Sequence, residues 1–293
     1  MEICGCQSAI HPIFIQAAPR FTVYYLLFTE FVDLHIMAEL ITSGGGDRFL
    51  VILLIIFFRY LFFASIAFLI FYVWKRKDWS FKKIQSRFPV VGDYSREFLY
   101  SVSTALIFAG MGYLVFYGPF SKYNLIYKDI GDHSLAYFVF SIALILLIHD
   151  TYFYWAHRVM HHPKIFKYFH KVHHLSTNPS PWAAMAFHPF EAVVEFGIIA
   201  FVPYLFPIHP LAIFTFLLIM MIYNVYGHLG YELYPKGFSR SVVGKWINTS
   251  VNHNQHHEHF TGNYGLYFLW WDRWMGTLRK DYDEHFEAVK AKK

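Results

Sequence analysis

Between His149 and His174 the chain places seven histidines in twenty-six residues, HDTYFYWAHRVMHHPKIFKYFHKVHH. His157 and His161 stand four apart, and His170, His173 and His174 form an HxxHH group. Residues three or four apart share one helix face, so each group would aim its imidazoles at a common centre. A second HxxHH follows far downstream as His253, His256 and His257 in NHNQHHEHF, giving a constellation of eight rings. Neutral imidazole suits iron, copper, nickel and zinc, and a site without thiolate argues against iron–sulfur or copper(I) chemistry. Eight ligands are too many for one ion. They match two ions, each with four or five ligands and an open position.

The other histidines divide by position. His188, in AMAFHPFEAVVEF, and His228, in YNVYGHLGYE, are candidates for added ligands. His161 completes the four-residue step from His157, whereas His162 lies about 100° further round a helix; the reading takes His161. His149 is two turns from His157 and about 80° round, which suits a ligand poorly. His133, His209, His259 and His285 read as surface or interfacial groups. A metal-bound ring usually donates its second nitrogen to a carboxylate or carbonyl. Asp150, Glu191 and Asp272 are close enough in sequence to accept, while Glu258 reads as surface charge. In FTGNYGLYFLWWDRWMGT, Gly262, Gly265 and Gly276 are turn residues, and Trp270, Trp271 and Trp274 either close the site or form an interfacial belt.

Such a site has to be held by helices, and the composition says in what solvent. Of 293 residues, 56% are hydrophobic and 22% aromatic, with 15% charged against about 25% in an ordinary soluble domain. Several apolar runs reach the roughly 20 residues that span a bilayer. The expected fold is therefore all-α, a multi-pass transmembrane bundle with a cytosolic histidine-rich helical cap. Residues 21–40, interrupted by Glu30, Asp33 and His35, read as an interfacial or re-entrant helix, and Gly44, Gly45 and Gly46 as a flexible break. Spans are expected over Phe49–Trp74, Leu99–Phe120 and Leu135–Trp155, and shorter apolar runs over Phe190–Leu205 and Leu211–Tyr226. Arg59 lies inside the first span, where helix tilt, a ring-rich neighbourhood or a functional role could each account for it.

The net charge of +5 does not imply a nucleic-acid partner, because the basic residues flank apolar spans. Lys75, Arg76, Lys77, Lys82, Lys83 and Arg87 mark the cytosolic side. Two further crossings bring the His149–His174 stretch back to that face, and the short hairpin brings the last histidine group there too. Cys4 and Cys6 cannot make a disulfide framework or a four-thiolate site, and no cleaved signal peptide is expected. The chain divides into an N-terminal segment 1–48, transmembrane helices over 49–141, a catalytic region over 142–278 and a basic tail over 279–293.

Two rival chemistries fit less well. A zinc peptidase would want His-Glu-x-x-His, which does not occur, and a bis-histidine haem protein would want single histidines inside spans. HDTYFYWAHRVMHH, HKVHH, FHPFE and NHNQHHEHFTGNYGLYFLWWDRWMGT resemble the fatty acid hydroxylase/sterol desaturase superfamily over Ile142–Leu278, about half the chain. The resemblance implies a membrane di-iron enzyme that uses O2 and two electrons from a separate reductase or small electron carrier. By motif position it implies His157, His161, His170, His173, His174, His253, His256 and His257 as iron ligands, with His188 and His228 matching less closely. Hydroxylation or desaturation of a lipid, fatty acyl or sterol-like, drawn from the bilayer is the expected function. A membrane metal transporter or sensor and a di-zinc hydrolase are the alternatives.

Overall fold

The computed structural model describes residues 45–292. The expectations for the helix over 21–40, Gly44, Cys4 and Cys6 lie outside the described residues. Nearly all of the described residues belong to one compact unit that begins at Ile52. Among the described residues every regular element is helical, with isolated β-bridges only.

Helix α1 (Gly45–Phe68) continues as a π-helical segment, Leu69–Trp74. Gly45 and Gly46, expected as a break, instead open this helix, and Asp47 in the first turn complements the positive end of its dipole. Helix α2 (Val91–Tyr117) starts eight residues before the expected apolar run. Its polar first turns are closed by Asp93, which accepts from the Val90 N–H at 3.1 Å and pairs with Arg96 at 2.8 Å. Helix α3 (Leu135–Met160) is capped by Ser134 and runs five residues past Trp155, which carries it to His157. The hairpin is made of α6 (Pro189–Leu205) and α7 (Pro210–Gly227). His188 and His209 cap the two helices with their rings, each followed by a proline whose missing N–H costs nothing at the first helical position.

Among the described residues, four stretches are long and apolar enough to cross a membrane: Gly45–Trp74, Val91–Tyr117, Leu135–Met160 and Pro210–Gly227. On α1, Leu54, Phe58, Phe62 and Ile66 repeat every four residues and are all exposed. A stripe of that size facing water would be an association site; facing hydrocarbon it is at rest. Inside the bundle, α2 packs on α6 and on the 3-10 turn Pro181–Met185, while α3 packs on α6 and α7. The Trp182 carbonyl ties that turn to two helices by accepting from Tyr60 Oη at 3.0 Å and Ser101 Oγ at 3.1 Å.

The cap consists of two short helices, α4 (Phe166–Phe169) and α5 (Lys171–His174), followed by α8 (Ser250–His259), α9 (Trp270–Trp274) and α10 (Tyr282–Lys290). Residues 279–293, expected as a basic tail, thus contain an amphipathic helix. Its Tyr282, Phe286 and Val289 bury against Val251 and Leu269. Helix α8 is polar in sequence, yet Ser250 to His257 are all buried. A helix is placed that way only when its polar groups have partners or ligands to meet.

Asp150, on α3, holds the chain beyond α8 in place. Its Oδ1 accepts from the N–H groups of Tyr267 at 2.9 Å and Phe268 at 3.2 Å. An Asp150→Ala variant leaves two N–H groups without an acceptor, at a cost of about 1–3 kcal/mol. Thermal melting in detergent should show the loss, with Asp150→Asn melting closer to the parent; an unchanged melting temperature for the alanine variant would contradict this role.

Candidate metal centre

Nine histidines converge at the cap end of the bundle in two adjacent groups. Nitrogens of His157, His161, His170, His174 and His256 lie within 4.8 Å of one another, and so do those of His173, His228, His253 and His257. The groups touch, with the His174 and His257 rings stacked at 4.8 Å and those of His170 and His173 5.2 Å apart.

Helix geometry explains the division. His157 and His161, His170 and His174, and His253 and His257 are each four apart and stay together. The adjacent residue in each HxxHH is turned about 100° away. His173 therefore leaves the group of its neighbours for the second group, and His256 for the first. The expectation that each histidine group serves one common centre is corrected here: each HxxHH motif is shared between two centres.

The outer nitrogens set the direction of the inner ones. Nδ1 donates to the Tyr264 carbonyl from His157 at 2.9 Å, to Gly262 from His256 at 2.7 Å, to Ser176 from His257 at 3.0 Å and to Asn224 from His228 at 2.8 Å. Glu191 accepts from His170 Nδ1 at 2.6 Å. A carbonyl can only accept, so the ring proton sits on Nδ1 and Nε2 carries a bare lone pair. Those lone pairs face one another. His157 and His170 Nε2 are 2.9 Å apart, and His253 Nε2 stands 3.1 Å from His228 and 3.2 Å from His257. With no proton between them such contacts repel, and a cation at each focus turns repulsion into coordination. The donor set, all imidazole and no thiolate, fits a borderline divalent metal such as iron or zinc.

Burial acts in the same direction. It pushes the His228 ring down to about 4 and the His161 ring, at the end of α3, down to about 2, in the latter case helped by His157. His170, His173, His174, His253, His256 and His257 are held well below the ordinary histidine range, first by burial and then by one another. All are neutral at pH 7, the form that binds metal.

Three further segments hold the cap. Ser176, whose carbonyl accepts from His257 Nδ1, is bound through its hydroxyl by Arg96 of α2 at 3.1 Å. Gln85 donates to the Thr177 carbonyl at 2.8 Å and to Asn254 of α8 at 3.0 Å. Ser180 donates to the buried Glu97. Asp272 accepts from the N–H groups of Tyr264 at 2.9 Å and Gly265 at 2.7 Å, which fixes the carbonyl that meets His157.

The sequence candidates thus fall into distinct places. The eight motif histidines and His228 come together. His162 is exposed and His188 stands apart, its Nδ1 accepting from the Phe190 N–H at 3.3 Å. His149 reaches the Tyr267 hydroxyl at 2.9 Å rather than either group. Of the three carboxylates, only Glu191 touches a ring; Asp150 and Asp272 act one step further out, on backbone. The accepting carbonyls were not foreseeable from residue type, although Gly262 gave a signal. Its φ is +78°, and a Cβ there would lie 2.6 Å from the Thr277 carbonyl.

Two expectations follow. Gly262→Ala should displace the carbonyl that orients His256 and weaken metal binding about tenfold, measured by competition with a chelator; unchanged affinity would contradict it. The metal-free protein should also lose stability in acid. Unfolded histidine titrates near 6.5 and the folded rings lower, so the unfolded chain takes up protons that the folded one refuses. Stability is full above about pH 6.5 and falls below it, by up to about 1.4 kcal/mol per ring per pH unit. Melting that is flat from pH 8 to 7 and drops steeply toward pH 5 is expected, and a flat profile to pH 5 would contradict it.

Comparison with known proteins agrees with this geometry. Residues 142–277 match the family model described as fatty acid hydroxylase. A Delta(7)-sterol 5(6)-desaturase of Gibberella zeae is 33% identical over 183 residues, 60% of this chain and 54% of that protein. Lathosterol oxidase of Homo sapiens is 32% identical over 159 residues, 54% and 52% of the two chains. A Delta(7)-sterol 5(6)-desaturase of Leptosphaeria maculans is 34% identical over 147 residues, 50% and 39%. The chain spans about half the length of the first two relatives, and no solved structure matches. Over its histidine-bearing region the chain is thus similar to the fatty acid hydroxylase family.

Proposed function

We propose that the chain is a membrane oxidoreductase that holds two iron ions on its nine histidines. With O2 and two electrons from a separate reductase or small electron carrier, it hydroxylates or desaturates a C–H site of a lipid. The relatives' names favour a sterol-like substrate over a fatty acyl one.

One observation carries the reading: an apolar cavity within the bundle has wall residues in ring contact with the histidine centre. Phe153 and Phe187 line that cavity, and their rings lie 5.0 Å from His157 and 5.2 Å from His173. Most of the wall is aliphatic, aromatic or Met, drawn from α1, α2, α3, α6 and α7. Such a wall binds by area and excludes water from the reacting carbon. Bound iron would supply the O2 reduction and hydrogen-atom abstraction for which no side chain is strong enough. The protein's own part is orientation. Asn224 illustrates it, lining the cavity while its carbonyl accepts from His228 Nδ1 and its amide donates to the Ala184 carbonyl at 2.8 Å.

A cytosolic centre is supported by charge. The basic segment after α1 reaches the cap, where Gln85 meets Asn254 and the carbonyls of Lys83 and Ile84 accept from Lys292 at 2.8 Å. Positive charge stays inside. Lipid extracts from cells expressing the parent and a His173→Ala variant, compared by mass spectrometry, test the function. A lipid that gains one oxygen or loses two hydrogens only with the parent, and only in air, is expected. The same product formed without O2, or by the variant, would refute it and favour a hydrolase or a transporter.

A further inference from the structure

The cavity wall contains four polar residues, His149, Asn224, Glu195 and Arg59. His149 is held by Tyr267, and Asn224 gives its amide to Ala184. Glu195 reaches the cavity from α6. Arg59, on α1, is 9% exposed, and its Nε and Nη1 are buried with no hydrogen-bond partner among the described residues. It lies fifteen residues before Trp74, about 22 Å along the helix from the cap end, too deep to reach the interface by stretching.

Each ordinary reason for a buried arginine is missing. It makes none of the ion pairs among the described residues, so it is not there to neutralise Glu195. None of the cation–ring contacts among those residues involves it, which removes the ring-rich neighbourhood as an explanation. A guanidinium that spends its desolvation cost on no protein partner is poised for a partner that arrives. It faces a cavity that is otherwise built for hydrocarbon.

We propose that Arg59 is the specificity residue of this cavity, binding the oxygen-bearing end, a hydroxyl or a carboxylate, of an otherwise apolar lipid. The inference rests on the lipid reading above. Held by that end at Arg59, the substrate's apolar body fills the cavity towards Phe153 and Phe187, and the span between the guanidinium and the histidine centre selects which carbon reacts. Arg59 is a positioning residue, since it lies away from the metal ligands.

Binding to the full-length, metal-free protein in detergent micelles tests this without any turnover. The probes are cholestanol against cholestane and palmitate against hexadecane, each pair differing in its oxygen end, titrated against a fluorescent lipid. The parent should bind one oxygenated member at least about tenfold more tightly than its hydrocarbon. Arg59→Met should bring that ratio close to one while leaving hydrocarbon affinity and melting temperature undiminished, and Arg59→Lys should retain part of it. Preference for cholestanol identifies an alcohol, and preference for palmitate a carboxylate. A ratio unchanged in Arg59→Met, or a lower melting temperature for that variant, overturns the proposal and leaves the lipid reading standing. A parent that binds neither pair removes the lipid reading and this one with it.

Discussion

The structure depends on the hydrogen bond made by the outward nitrogen of each ligand ring. An imidazole is a metal ligand only when the proton is on the far nitrogen and the ring cannot turn. Carbonyls of Tyr264, Gly262, Ser176 and Asn224, with the Glu191 carboxylate, impose both conditions on five of the nine rings. The lone pairs then point inward at contact distance, a state of mutual repulsion that burial prevents protons from relieving. The free energy for holding those rings together comes from packing and hydrogen bonds elsewhere, and a bound metal returns part of it.

That requirement explains features that would otherwise be liabilities. A polar helix is buried whole in α8, acidic side chains at 97, 150, 191 and 272 are fully buried, and a loop passes through left-handed backbone at Phe260, Gly262 and Asn263. Each of these places a backbone oxygen or holds the segment that does. The membrane spans contribute rigidity: α3 delivers His157 from its last turn and His161 just past its end, and α7 delivers His228 just past its own. Loops alone could not fix nine rings within a few tenths of an ångström.

Much of this was legible in the residues. The spans were legible because hydrocarbon demands long apolar runs, and their ends moved where glycines opened α1, polar first turns extended α2 by eight residues, α3 ran on to Met160 and proline opened α6 and α7. The ligand histidines were visible because three- and four-residue spacing has one meaning on a helix. Their partition was harder to see: treating HxxHH as one face overlooked that neighbouring residues diverge by about 100°, which sends His173 and His256 to opposite centres. His188 resembled a ligand by its neighbours, yet it caps α6, because a ring followed by proline at a helix start satisfies an N–H first. Backbone carbonyls carry no residue signature, so the groups that orient the rings could be read only from the fold. The unpaired state of Arg59 was equally invisible, since a sequence shows a charge in a span but not whether anything answers it.

The central claim is that two neighbouring foci of imidazole lone pairs each hold one metal ion. X-ray absorption at the iron edge, on protein purified with iron, measures it most directly. The account predicts about two irons per chain, a nearest shell of nitrogen and oxygen scatterers with imidazole character, no sulfur, and a second iron as a near neighbour. A single iron per chain, a sulfur shell or the absence of imidazole scattering would contradict it.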